Sequence, residues 1–149
     1  MKQVDFYLIE NQVANARFKL ASRLAKKLQS LQQKALIVVD DEDQLHQLDQ
    51  TLWTFSDTSF VAHDRINPNS EPPLSKTHIG IKNGFNHRED TLGYDVLISL
   101  TQEILETSDA FSRVAEIIEA DDASKAAGRE RFKGYRERGF ELKTHKLEL

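Results

Sequence analysis

Ala35 to Val39 reads ALIVV, five apolar residues in succession with none to offer to water. A strand solvated on one face alternates polar and apolar side chains, so an unbroken apolar run belongs to a strand covered on both faces. That cover has to come from helices above and below, the arrangement that accompanies parallel sheets. The flanking segments comply. Upstream, Phe18, Ala21, Leu24, Ala25, Leu28 and Leu31 recur at three- and four-residue spacing, with Arg17, Lys19, Arg23, Lys26 and Lys27 on the other faces, predicting an amphipathic helix. Downstream, Asp41 with Gln44 three positions on forms a capping-box pattern. The helix it opens carries Leu45, Leu48 and Leu52 as its apolar stripe and closes on Trp53.

The rest of the chain continues the alternation. Val4 to Ile9 (VDFYLI) predicts a first strand, Ser59 to Ala62 (SFVA) a third, and Tyr94 to Leu100 (YDVLISL) a strong later one. His78 to Lys82 (HIGIK) alternates like a short edge strand. Asp64 to Thr77 holds all three prolines and predicts an irregular loop, and Gly84 to Gly93 is a second turn-rich connection. Ser108 is placed to cap a helix bearing Phe111, Val114, Ala115 and Ile118. Asp121 or Asp122 caps the last helix, which ends at Gly139, and Phe140, Leu142, His145 and Leu147 form an exposed alternating tail. These elements predict one α/β domain over residues 1–149, a mainly parallel central sheet flanked by helices. The layering is Rossmann-like, without a nucleotide-binding loop.

Several function classes fall away at this point. The chain has no cysteine, which removes disulfides, thiolate metal sites and a cysteine nucleophile. It has neither a GxGxxG after the first strand nor a GxxxxGK[ST], and no nucleophile elbow. The five histidines (46, 63, 78, 87 and 145) are scattered without metal-ligand spacing. No cofactor, no metal and no catalytic activity of its own are therefore expected. The apolar run Phe6 to Ile9 is too short for a signal-peptide core, and no stretch approaches the roughly 18 apolar residues of a membrane helix. A cytoplasmic protein is the expectation.

Charge is the most informative remaining feature. The net charge is −4, yet Lys125 to Arg138 holds six basic residues against Glu130 and Glu137, so this segment is +4 and the remainder −8. At 100° per residue, Lys125, Arg129, Phe132, Lys133 and Arg136 fall within an arc of about 100° on the last helix, a strip of four cations around one aromatic ring. Such a strip is either a solvated face whose Phe132 packs inward or a dock for an acidic peptide, in which the cations pair with carboxylates and a pocket beside Phe132, walled by Ile117 or Ile118 of the preceding helix, takes an apolar side chain. A second charged run, Asp40-Asp41-Glu42-Asp43 after the apolar strand, is placed either to cap the next helix or to hold magnesium as in receiver domains. Asp64 and Asp95 do not cleanly supply the third carboxylate that such a pocket needs, and no lysine follows the Leu97–Leu100 run.

Four stretches carry a family resemblance: the opening FYLIE, the block KALIVVDDEDQLHQLDQTLWTF, the strand DVLISL and, most specific, RERFKGYRERGFEL near the end. In this order and spacing they resemble the chi subunit of bacterial DNA polymerase III, a clamp-loader accessory protein. The resemblance implies a non-catalytic replisome subunit with two partners, the psi subunit of the clamp loader and the acidic C-terminal tail of single-stranded-DNA-binding protein (SSB). It implies an accessory helicase as a further partner and only indirect contact with nucleic acid. Carried over by position, Arg129, Phe132, Lys133 and Arg136, with Lys125 at the edge, hold the SSB tail, and Ile118 lines the pocket for its terminal ring. Trp53 and Phe60, with Val61 and His63 as neighbours, form the psi interface; Trp is enriched at interface hot spots in general. Phe132 stands where the family often has tyrosine, and Gly128 weakens the basic helix by roughly 1 kcal/mol relative to alanine. Two other readings remain beside this one: a receiver-like phosphoacceptor with an Asp40/Asp41 magnesium pocket, and a direct single-stranded nucleic-acid binder.

Overall fold

The structure, a computed structural model, describes residues 2–54, 61–66, 79–83 and 93–149. Its strands are β1 (Gln3–Ile9), β2 (Ala35–Val39), β3 (His63–Arg65), β4 (Ile79–Asn83), β5 (Val96–Ser99), β6 (Arg113–Ile118) and β7 (Glu141–Leu147), and its helices are α1 (Ala16–Ser30), α2 (Glu42–Thr54) and α3 (Asp122–Glu137). They form one seven-stranded sheet in the order β3-β4-β2-β5-β6-β1-β7, and each pair of neighbours is parallel. Among the described residues no helix is long and apolar enough to cross a membrane.

The apolar run of β2 behaves as its composition requires. All five residues are fully buried, with Ala35, Ile37 and Val39 in the core under α1 and α2, and Leu36 and Val38 in the core under α3. The cap of α2 is present, with its return bond one residue earlier than in a standard capping box: Asp41 Oδ1 accepts from the Gln44 amide at 2.8 Å, and Gln44 Oε1 accepts from the Asp40 amide at 3.1 Å. Asp121 is the residue that caps α3, accepting from the Ser124 amide at 2.8 Å. α3 ends in a Schellman turn: Gly139 takes φ +85°, its amide donates to the Arg136 carbonyl, and the Phe140 amide donates to that of Tyr135.

Four expectations change. The stretch after Ser108 is not a helix but a short 3-10 turn (Glu106–Ala110) followed by strand β6, so Ile117 and Ile118 lie on a strand. Val114, Ala115 and Ile118 fit helical spacing and strand burial equally well, and pairing on both sides, to β5 and to β1, decides for the strand. The segment after Gly139 is not a loose tail: it pairs along its whole length with β1 as an edge strand, and Phe140 is buried. The HIGIK segment is interior rather than an edge, since β4 lies between β3 and β2 with Ile79, Gly80, Ile81 and Lys82 buried; His78 is outside the described residues. Finally, the third strand begins at His63, so Asp64 and Arg65 of the expected loop are strand and Ile66 is core; residues 59–60 and 67–77 lie outside the described residues.

Helix α3 is fastened to the sheet by a buried polar cluster. Glu116 on β6 has no exposure to water; its Oε1 accepts from Arg131 Nε at 3.0 Å and its Oε2 from the Tyr135 hydroxyl at 2.6 Å. Arg131 also donates to the Gln102 carbonyl at 3.1 Å. Burial pushes the Glu116 carboxyl from its ordinary 4.5 up to about 7, against the opposing pull of Arg131 and of the Tyr135 and Ser99 hydroxyls. A raised carboxyl in the folded state holds a proton that the unfolded chain releases, so its stabilising contribution is complete below about pH 4.5 and is lost as pH climbs through 7. Urea unfolding at pH 5 and pH 8 is therefore expected to give a lower midpoint at pH 8, and Glu116→Gln to flatten that difference; an equal slope in the variant would show that another group is responsible.

Candidate functional site

Strand β1 runs between β6 and β7 on the face covered by α3, and the gap between α3 and β7 leaves an open groove of about 670 Å³. Period-two alternation puts Phe6 and Leu8 of β1 on its floor beside Ile118 of β6. Lys125, Gly128, Arg129 and Phe132 of α3 form one wall, and Thr144 and Lys146 of β7 the other. The register sets Thr144 beside Phe6 and Lys146 beside Leu8, which raises the second wall along the floor. Phe132 leans on Phe6 with ring centroids 5.2 Å apart and tilted 52°, so its ring is partly buried in the core and also lines the groove.

Gly128 makes this geometry possible. A Cβ at that position would collide with Ile118 Cδ1 and stand 2.9 Å from its Cγ1. The helix therefore lies closer to β6 than any other residue allows, and the loss of helix propensity noted from sequence has a packing reason.

The groove is apolar below and charged above. Lys125 and Arg129 stand exposed on one rim and Lys146 on the other. Two acids, Glu10 and Glu119, close the end at the C-termini of β1 and β6. Glu119 is engaged by Arg17 of α1, Nε to Oε1 at 3.2 Å; burial pushes its carboxyl up, and Arg17 opposes that rise. Beside it, β1 and β6 send their following helices to opposite faces of the sheet, the place where open α/β sheets often take a nucleotide. Here that crevice is lined by Asn11, Gln12, Glu119 and Asp121, and its carboxylates repel a phosphate.

Of the residues singled out in the sequence, Ile118, Lys125, Arg129 and Phe132 meet in the groove. Lys133 and Arg136 are exposed on the same helix but lie outside its walls. Arg131, part of the same basic run, faces inward to Glu116. Sequence reasoning missed Phe6, Leu8, Thr144 and Lys146. Alternation within β1 linked Phe6 to Leu8, but no local signal brings residue 146 next to residue 8.

On the other face of the sheet, Trp53 stands 58% exposed at the end of α2, edge-on to the ring of His63 at 6.0 Å. His63 is held by the Val61 carbonyl (2.8 Å from Nδ1) and by the Asp49 carboxylate, which Arg65 also reaches at 3.1 Å. Burial works against ionisation of Asp49, but the His63 and Arg65 contacts outweigh it and hold the carboxyl below its usual range. Val61 itself is fully buried in the core, and Phe60 lies outside the described residues. The acids after β2 have structural partners: Asp41 caps α2, and Asp40 Oδ2 accepts from the Gln102 amide at 3.0 Å. Among the described residues no group of three or more histidines and carboxylates converges as a metal site.

If Gly128 sets the depth of the groove, Gly128→Ala is expected to lower stability by about 1–3 kcal/mol, because overpacking exceeds the roughly 1 kcal/mol gained in helix propensity. Adding Ile118→Val, which deletes Cδ1, is expected to recover part of that loss in thermal unfolding. A stabilised Gly128→Ala protein would mean that the helix has room to move.

Residues 1–143 match the family described as DNA polymerase III chi subunit, HolC. The chain is 36% identical over 147 residues to the DNA polymerase III subunit chi of Pseudomonas aeruginosa, covering 99% of this chain and 98% of that one. It is 31% identical over 148 residues to the same subunit of Escherichia coli K12, covering 97% of each, and 28% identical over 148 residues to that of Haemophilus influenzae, covering 98% of each. By a match that takes in nearly its whole length, this chain belongs to the DNA polymerase III chi-subunit family.

Proposed function

We propose that this protein, an accessory subunit of DNA polymerase III, is an adaptor without chemistry of its own that holds the acidic C-terminal tail of SSB in the groove between α3 and β7. The observation that carries the reading is the pairing of an apolar floor (Phe6, Leu8, Ile118 and the partly buried Phe132) with cations on both rims (Lys125 and Arg129 opposite Lys146). An apolar side chain adjoining a carboxylate is the chemistry such a groove selects: the ring enters the floor, and the guanidinium and ammonium groups hold the negative charge. Lys133 and Arg136, exposed further round and further along α3, extend the positive field toward preceding aspartates.

The clamp-loader link is assigned to the opposite face. An exposed Trp whose neighbour His63 is fixed by Asp49 and the Val61 carbonyl is a rigid, pre-organised anchor, suited to docking psi together with Phe60. An accessory helicase would compete for the same anchor. Tail and clamp loader would then be bound on opposite faces of the sheet, so that one does not displace the other.

Fluorescence anisotropy of a labelled peptide ending Asp-Asp-Ile-Pro-Phe is expected to show salt-weakened binding that disappears when the terminal phenylalanine is removed. Arg129→Ala should weaken it at least 10-fold, about the 1.5 kcal/mol of a charge-assisted hydrogen bond, and Lys133→Ala less. Unchanged affinity in Arg129→Ala would remove the groove from the account. In co-purification with psi, Trp53→Ala is expected to lower affinity about 30-fold, the roughly 2 kcal/mol of an interface hot spot, while leaving peptide binding intact. Retention of psi by that variant would place the clamp-loader surface elsewhere.

A further inference from the structure

Helix α1 carries a second basic strip, and the adaptor role does not use it. Its fifteen residues include five cations and no acid. Arg17 is committed to Glu119 and to the Leu100 carbonyl at the C-terminal end of the sheet. The others, Lys19, Arg23, Lys26 and Lys27, fall within an arc of about 100° on the side away from the buried Phe18, Ala21, Ala25 and Leu28. Arg23, Lys26 and Lys27 are exposed and Lys19 is half-buried. No carboxylate among the described residues forms an ion pair with Lys19, Arg23 or Lys27, which succeed one another every four residues, about 6 Å apart along the axis. The nearest acidic element, α2, lies alongside, but Asp49 is engaged by His63 and Arg65, and Glu42 and Asp43 sit in its first turn. On a protein of net charge −4, so regular a row of like charges is a cost in self-repulsion that an external anion would relieve.

We propose that the α1 strip is a contact surface for the phosphate backbone of single-stranded nucleic acid. The choice of ligand follows from what the strip lacks. The α3 groove joins its cations to an apolar floor, as the end of an acidic peptide requires. Lys19, Arg23 and Lys27 line neither that groove nor the crevice beside Glu119, and an evenly spaced row of exposed cations matches a row of phosphates that are read for charge alone. Because α1 and α3 lie on opposite faces of the sheet, a protein holding a peptide in the groove presents this strip on its far side. The inference is independent of the peptide reading, since it uses none of the same residues.

The test is anisotropy of a labelled thirty-nucleotide oligo-dT titrated with the full chain from low to moderate salt. Three phosphate contacts predict a slope of about −2 in log affinity against log salt. Lys19→Gln, Arg23→Gln and Lys27→Gln together should lower affinity at least 10-fold and flatten the slope, with binding of the acidic peptide unchanged; glutamine is as good a helix former as the residues it replaces. Lys125→Gln with Arg129→Gln should leave oligonucleotide binding within about 2-fold. The inference is overturned if the triple variant binds oligo-dT as the parent does, if the α3 variant loses as much, or if the strip binds polyglutamate but not oligo-dT.

Discussion

Glu116 is a carboxylate with no access to water, gripped from above by Arg131 and Tyr135 of α3. Taking such a group out of solvent costs several kcal/mol, and the cost is met only when its oxygens are fully paired. Pairing in turn demands one position of α3 over β6: a shift of an ångström breaks both bonds. The chain continues outward, because Arg131 also reaches the Gln102 carbonyl while the Gln102 amide is bound by Asp40 at the head of α2. The helix that carries the groove cations and the helix that carries Trp53 are thus tied to the same short segment after β5. Whatever the groove binds, its wall is held by this cluster and not by the groove residues themselves.

Within that frame the groove results from a mismatch of sizes. α3 lies close against β6 because Gly128 offers no side chain to Ile118. The sheet nevertheless extends one strand beyond β1, to β7, and the helix leaves Thr144 and Lys146 of that strand exposed. The uncovered part of Phe6 and Leu8 becomes the apolar floor, and an edge strand rich in lysine becomes the far wall. Lysine on an edge strand also discourages unwanted strand pairing, so Lys146 serves edge protection and the electrostatics of the groove together.

Charge on this molecule is segregated by element more than by net value. α3 and α1 are basic strips on opposite faces, while acids collect at the starts of α2 and α3 and at the ends of β1 and β6. Asp41 and Asp121 show why: a carboxylate at a helix N-terminus is fixed by backbone amides and by the helix dipole, which leaves it less available as a ligand. The acidic run Asp40 to Asp43 resembles a cation pocket in the sequence and is a helix start in three dimensions.

Local chemistry by itself determined the elements whose signals are short in range. ALIVV required a doubly covered strand, Asp41 with Gln44 required a helix start, and Gly139 required a helix end, because each depends on neighbours within a few residues. The strip Lys125, Arg129 and Phe132 was likewise legible, since helical periodicity alone puts these residues on one face. Tertiary structure decided what periodicity leaves ambiguous or does not contain. Val114, Ala115 and Ile118 suit a helix as well as a strand until β5 and β1 provide hydrogen-bond partners, and residues 141–147 became a strand only because β1 offered an open edge. Thr144 and Lys146 entered the site through that pairing, across more than 130 residues of chain. Arg131 left it through an ion pair with a glutamate fifteen positions away. A composition cannot separate a cation that faces solvent from one that neutralises a buried acid; only the packing of α3 on the sheet does so.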